Sequence, residues 1–224
     1  SLGLPDGLLG VAWPSISTSF GKALSRLAVL QVALVGGFFF SSINAAKLIE
    51  RFGVGTLLIG SNVIIAAALT GYALSGHWYL MVASTVVLGS GGGAVDAGLN
   101  SYAARRFTKE QVTLLHAFYG FGAMLGPVLM REVLEAGVSW RYGYVIILVL
   151  VLFLLAVFVR TRRIWYGPGG EREDESNLRI RGRLKPAATI GVALFLVYTG
   201  VEVTVGAWSF TLLTAGRGVD PSLA

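Results

Sequence analysis

No cysteine occurs in these 224 residues, so the chain holds neither disulfides nor thiolate metal sites, and redox compartment cannot be read from it. Charge is scarce too: acidic and basic side chains together make up 13%, about half the share of an ordinary soluble domain. The 2 histidines are accompanied by no pair of acids at ligand spacing, which leaves metal catalysis without a donor set. No nucleophile, base and orienting group assemble in sequence, so an enzyme is not expected. Strands of a transmembrane barrel alternate in polarity over about ten residues, and runs such as 145–159 do not.

What is present is apolar. Hydrophobic residues reach 54% and gather in runs near the roughly 20 residues that cross about 30 Å of hydrocarbon as a helix. The pattern predicts an all-α, multi-pass membrane protein with spans ending near 13 and then at 27–46, 56–74, 78–100, 112–130, 142–159 and 187–213. Trp13-Pro14 reads as an interface and a break. Because Ser1 already lies in an apolar segment, the first helix is expected to be truncated.

A formal charge of +6 raises the question of nucleic acid, and the distribution of the basic residues answers it. Thirteen of the 18, among them Lys47, Arg51, Arg105, Arg106 and Lys109, fall in alternate connections, while Lys22, Arg26, Arg131, Arg141 and Arg217 fall in the others. That is the positive-inside asymmetry, and no aromatic and basic residues interleave as a strand-binding surface requires. It places 47–55, 101–111 and 160–186 on the cytoplasmic side. The expected domains are a six-helix bundle over 1–159, a cytoplasmic linker over 160–186, and a seventh helix with the start of an outer loop over 187–224. Within the linker, 167–185 mixes glycine, Pro168 and alternating charge, a composition that builds no core. Gly89 and Gly93, like Gly122 and Gly126, stand four apart and so let helix backbones approach closely.

Asp96 is the most telling residue, because the segment 78–99 carries no other charge and intramembrane acids are functional by default. Asn100 lies one turn further along the same face. Asp6, eight residues before Pro14, is about 12 Å below the outer boundary, and Glu202 about 22 Å into the last span. Desolvation disfavours an ionised carboxylate, the chemistry a proton carrier uses; the structural alternative is an acid permanently bonded to Asn100, His116 or an arginine. His116 has Tyr119 and Gly120 on its side of the helix, a placement that suits a proton relay or a neutral histidine bonded to its neighbours.

The order of these features resembles the major facilitator superfamily. Glu50-Arg51-Phe52-Gly53, between the second and third spans, is similar to that family's Asp-Arg-x-Gly core, with Ala46 in place of the leading glycine. A second resemblance, to the fucose:proton symporter and sugar-transporter branch, rests on Asp96-Ala97-Gly98-Leu99-Asn100, on 115–123 around His116, Tyr119 and Gly120, and on Gly126-Pro127. The family fold would make this chain the amino-terminal six-helix bundle plus one helix of the carboxy-terminal half. In that branch acids of the first and fourth spans are the functional carboxylates. The resemblance therefore implies Asp6 and Asp96 as proton and solute groups, with Asn100, His116, Tyr119 and Glu202 lining the pathway and Glu50, Arg51 and Gly53 in a cytoplasmic gate. His116 replaces an amide of the fucose carrier, which leaves the sugar open.

The expectation is a secondary active transporter, proton-coupled for a sugar or other small polar solute and working by alternating access. It needs no cofactor, and its partners are that solute, protons, membrane lipid and the second half of the same protein. A bacterial cytoplasmic membrane is the expected location. Two alternatives stand: a drug:proton antiporter of the same fold, against which Met130 and Arg131 replace the final glycines of the antiporter signature, and a non-transporting receptor or assembly subunit whose acids only knit helices together.

Overall fold

With no water in a bilayer core to satisfy its amides, an apolar chain pairs them within helices. In the computed structural model, residues 3–161 and 186–220 are described, and every extended element among them is helical. The chain forms two units, Ser1–Tyr166 and Gly167–Ala224, and each is treated by itself. Of the linker expected over 160–186, residues 162–185 lie outside the described residues.

The first unit begins with α1 (Gly3–Ser19), which runs through Pro14. The break expected at Trp13-Pro14 is therefore corrected. Pro14 lacks an N–H but keeps its carbonyl, which accepts from the Ser17 hydroxyl at 2.8 Å and the Thr18 hydroxyl at 2.9 Å. Trp13 is not an interfacial residue either: its side chain is fully buried and its indole N–H donates to the Leu24 carbonyl at 2.8 Å.

A single 3-10 turn, Leu24–Arg26, leads into α2 (Leu27–Leu74), 48 residues long. At 1.5 Å per residue that is about 72 Å, enough for two crossings. The helix is interrupted at Gly53, with φ 77° and ψ 159°, a conformation open essentially to glycine alone. The loop expected at 47–55 is thus reduced to one non-helical residue, and Glu50 and Arg51 stand on helical turns. Next come α3 (Trp78–Arg106), α4 (Lys109–Glu135) and α5 (Arg141–Arg160). Four stretches, Leu24–Leu74 and these three helices, are long and apolar enough to cross a membrane. The start of α4 is held by a capping box, in which Thr108 and Gln111 exchange side chain to backbone bonds.

Packing reveals the topology. Along α3, Gly89 and Gly93 lie against the carbonyls of Leu34 and Phe38, so α3 runs parallel to the arm of α2 before Gly53. Gly91 lies against Ile65, Gly98 against Leu57, and the Tyr72 hydroxyl bonds that of Thr85 at 2.7 Å. Numbers fall along the second arm as they rise along α3, so these two are antiparallel. The arms of α2 therefore double back on each other at Gly53, as separate second and third spans require. In the same manner Gly3 and Gly7 of α1 lie on the backbone of Tyr119 and Ala123, and Gly126 lies on Leu4 of α1. The close approach expected of the four-apart glycines is present in both helix pairs.

The ends of the helices marked as outer by charge are joined by an aromatic knot that no motif announces. Trp13 and Phe20 pack on Trp78 at 6.2 and 6.1 Å, and Phe20 on Trp140 at 6.2 Å between ring centres. The Arg141 guanidinium lies 4.4 Å from the Trp140 ring centre and donates to the Ser75 carbonyl at 2.7 Å. The Trp140 indole N–H reaches the Ser19 hydroxyl at 3.1 Å. The ends of α1, α2, α3 and α5 thus meet at one place.

In the second unit, α6 (Pro186–Thr211) closes in a π-helical turn over Leu212–Gly216.

Three glycines make three separable predictions for thermal unfolding in detergent. Gly89→Ala drives a Cβ into the Leu34 carbonyl and costs about 1–3 kcal/mol. Gly53→Ala meets open space but an unfavourable φ and costs about the same. Gly60→Ala, helical and with nothing within 4 Å, is neutral or stabilising by up to about 1 kcal/mol.

Candidate functional site

The carboxyl of Asp96 is half-buried on α3, one turn beyond Gly93. Asn100 lies within side-chain hydrogen-bonding reach of it, and His116 of α4 is near enough to act on its charge. The Gly93 carbonyl accepts from the Ser42 hydroxyl of α2 at 3.4 Å. Three of the residues singled out by sequence, Asp96, Asn100 and His116, therefore share one region of the first unit. Asp96 is the acid, Asn100 a neighbour able to donate to it, and His116 an exposed base across the gap.

The gap itself follows from the packing. α3 is fastened to α2, α4 is fastened to α1, and no extensive contact joins α3 to α4. The Asp96 carboxyl, beside two helices without extensive mutual contact, stays partly exposed. Tyr119 stands one turn beyond His116 with 44% of its surface exposed, which suits a lining residue.

Other expected site residues lie elsewhere. Asp6 stands on α1 between Gly3 and Gly7, the glycines that seat α1 on α4; the placement of its side chain lies outside the described residues. Glu202 is exposed on α6 of the second unit, about 24 Å along that helix from Pro186. Glu50 and Arg51 are exposed, and the Arg51 guanidinium lies 5.2 Å from the Phe52 ring centre. With Gly53 they occupy the turn between the two arms of α2, about 13 Å along that helix from the level of Asp96, and are not part of the Asp96 cluster. Among the described residues no group of three or more His, Cys, Asp or Glu gathers to hold a metal.

Sequence reasoning passed over Ser41 and Ser42, two adjacent hydroxyls in an apolar run at the depth of Asp96. Their signal was visible, but the Gly93 contact that makes them relevant depends on the parallel pairing of α2 and α3. The misfit of Met130 and Arg131 to the antiporter signature also acquires a cause. Met130 is fully buried and fills the space over Gly143 of α5, while Arg131 pairs with Glu135 at 2.9 Å.

The family model described as Major Facilitator Superfamily matches residues 1–224. The chain belongs to the major facilitator superfamily. It is 24% identical over 152 residues to the glucose/mannose transporter GlcP of Bacillus subtilis, covering 67% of this chain and 37% of that protein. To the sodium-dependent glucose transporter 1A of Mus musculus it is 21% identical over 262 residues, 100% of this chain and 61% of the relative. The efflux pump patC of Aspergillus clavatus is 27% identical over 212 residues, 89% of this chain and 38% of the pump. The chain thus spans between 37% and 61% of these relatives' lengths. No solved structure matches it significantly. As a facilitator-family chain with four stretches fit to cross a membrane, it is an integral membrane protein.

The exposure of His116 separates a lining role from a structural one. His116→Ala is expected to change stability by no more than about 0.5 kcal/mol, as at other exposed positions. Thermal unfolding of the purified protein measures this, and a loss of 2 kcal/mol or more, about what a broken buried bond costs, would make His116 a structural tie.

Proposed function

We propose that the chain is part of a proton-coupled symporter that carries a sugar or another small polar solute by alternating access. The observation that carries this reading is the half-buried Asp96 beside Asn100 and within electrostatic reach of His116, in the gap between α3 and α4. A carboxyl in that setting can hold a proton when desolvated and release it when water enters, and the amide of Asn100 can bond either the carboxylate or a solute hydroxyl. The names of the glucose/mannose and glucose transporters support a sugar. Asp6 supplies the second carboxylate, and Tyr119 and Glu202 line the path.

Glu50, Arg51 and Gly53 form the cytoplasmic gate of this scheme. Gly53 makes the reversal, and the charges beside it face the second half of the same protein when the inner side closes. The solute site itself lies between the two halves, as in transporters built from repeats. A bacterial cytoplasmic membrane fits the positive-inside asymmetry and the GlcP resemblance.

A second reading, a drug:proton antiporter, is favoured by the 27% identity to an efflux pump. The direction of proton movement separates the two. In proteoliposomes of the intact protein, adding external D-glucose alkalinises the outside for a symporter, because solute and protons enter together, whereas adding an exchangeable drug to the outside acidifies it for an antiporter, because protons leave as the drug enters. Sodium dependence without any pH change would assign the coupling to sodium instead.

Asp96→Asn is expected to abolish accumulation against a gradient while leaving membrane insertion and counterflow exchange intact. Uptake of labelled sugar at two pH values checks this, and undiminished concentrative uptake by the variant would remove Asp96 from coupling.

A further inference from the structure

The face of α2 that leads from its outer end to the level of Asp96 carries a polar group with unused capacity. Gln31 lies five residues into α2, and its Oε1 is buried, yet it accepts no hydrogen bond among the described residues. A buried acceptor left unpaired is costly, more so in a span where water is scarce. Such groups persist where something other than the fold completes them.

The same face continues inward in register. Phe38 and Ser42 follow at seven and eleven residues from Gln31, a spacing that keeps all three on one side of a helix. Phe38 leaves 40% of its surface exposed, its carbonyl rests on Gly93, and the Ser42 hydroxyl bonds the Gly93 carbonyl. Asp96 is one turn beyond Gly93. In descending order toward the carboxyl, this side of α2 thus carries an unpaired acceptor that is closed to solvent in this conformation, a partly exposed aromatic ring and a hydroxyl bonded to the Gly93 carbonyl.

We propose that Gln31 and Phe38 form an outer subsite for a hydroxyl-bearing solute on its way to Asp96. Gln31 Oε1, closed to solvent in this conformation, accepts a solute hydroxyl when the helices part around it during alternating access, and the Phe38 ring receives the apolar C–H face of the same solute. The assignment rests on the polar-solute reading above, adding to it a binding residue on a helix to which that reading gave none. Gln31 is about 11 Å outward of Phe38 along the helix, so a hexose-sized solute contacts the two in succession rather than at once.

The test uses the intact protein and the variants Gln31→Leu, Phe38→Leu and, as a control on an exposed neighbour, Val32→Ala, which alters a side chain 73% exposed. Gln31→Leu removes an unpaired acceptor, so its melting temperature in detergent should equal or exceed that of the unaltered protein. Uptake of external D-glucose or D-mannose into proteoliposomes of phosphatidylethanolamine and phosphatidylglycerol should show KM raised about tenfold by Gln31→Leu, the loss expected for one hydrogen bond. Phe38→Leu should raise KM in the same direction, with kcat nearly constant in both, and Val32→Ala should leave KM unchanged. A lowered melting temperature for Gln31→Leu would mean that the amide serves the fold, and it overturns the proposal. So does an unaltered KM, or an equal rise with Val32→Ala. If the unaltered protein takes up neither hexose, the sugar reading fails by itself. The melting comparison then decides Gln31: a drop overturns the subsite, and no drop supports an acceptor reserved for another hydroxyl donor.

Discussion

Carbonyl oxygens seated against glycine hold this bundle together. Between apolar helices in lipid there is little hydrophobic gain from association, so contact has to come from close packing. Gly89 and Gly93 receive the Leu34 and Phe38 carbonyls, while Gly3 receives that of Tyr119 and Gly126 that of Leu4, 2.6 Å from where its Cβ would stand. Any side chain at these points would push two backbones apart along their length. The depth of Asp96 and the parallel course of α3 and the first arm of α2 follow from which glycine meets which carbonyl.

These contacts sort the helices into two groups, α3 on α2 and α4 on α1. They are joined through α5 and the outer knot of Trp13, Phe20, Trp78, Trp140 and Arg141. Arg141 suits the knot because a guanidinium can stack on a ring and donate in its own plane at the same time. A bundle tied at one end and divided along its length leaves room between the groups. Asp96 stands at the margin of that room, with Asn100 on its own helix and His116 on the other group.

The division matters for a carrier. A carboxyl clamped in a fully packed interior has no means of exchanging its proton, and one open to bulk water has no reason to hold it. Half-burial between incompletely closed helices meets both needs of the proton-coupled cycle proposed for Asp96. The hydroxyls of Ser41 and Ser42, drawn close because residue 93 has no side chain, add polarity beside the acid without adding charge.

Much of this was legible in the residues. Apolar run length and the scarcity of charge determined an all-helical membrane protein. An acid in an otherwise uncharged span marked Asp96, and helical periodicity placed Asn100 beside it. Boundaries were less legible, because helix ends depend on local bonds: Pro14 stays within α1 because its own carbonyl and Trp13 find partners, and Gly53 turns α2 in one residue where a loop was expected. The knot around Arg141, the nearness of His116 to Asp96 and the unpaired Gln31 carbonyl were decided by tertiary structure alone. Each depends on the register between helices far apart in sequence, and hydropathy, which sees each helix singly, carries no record of that register.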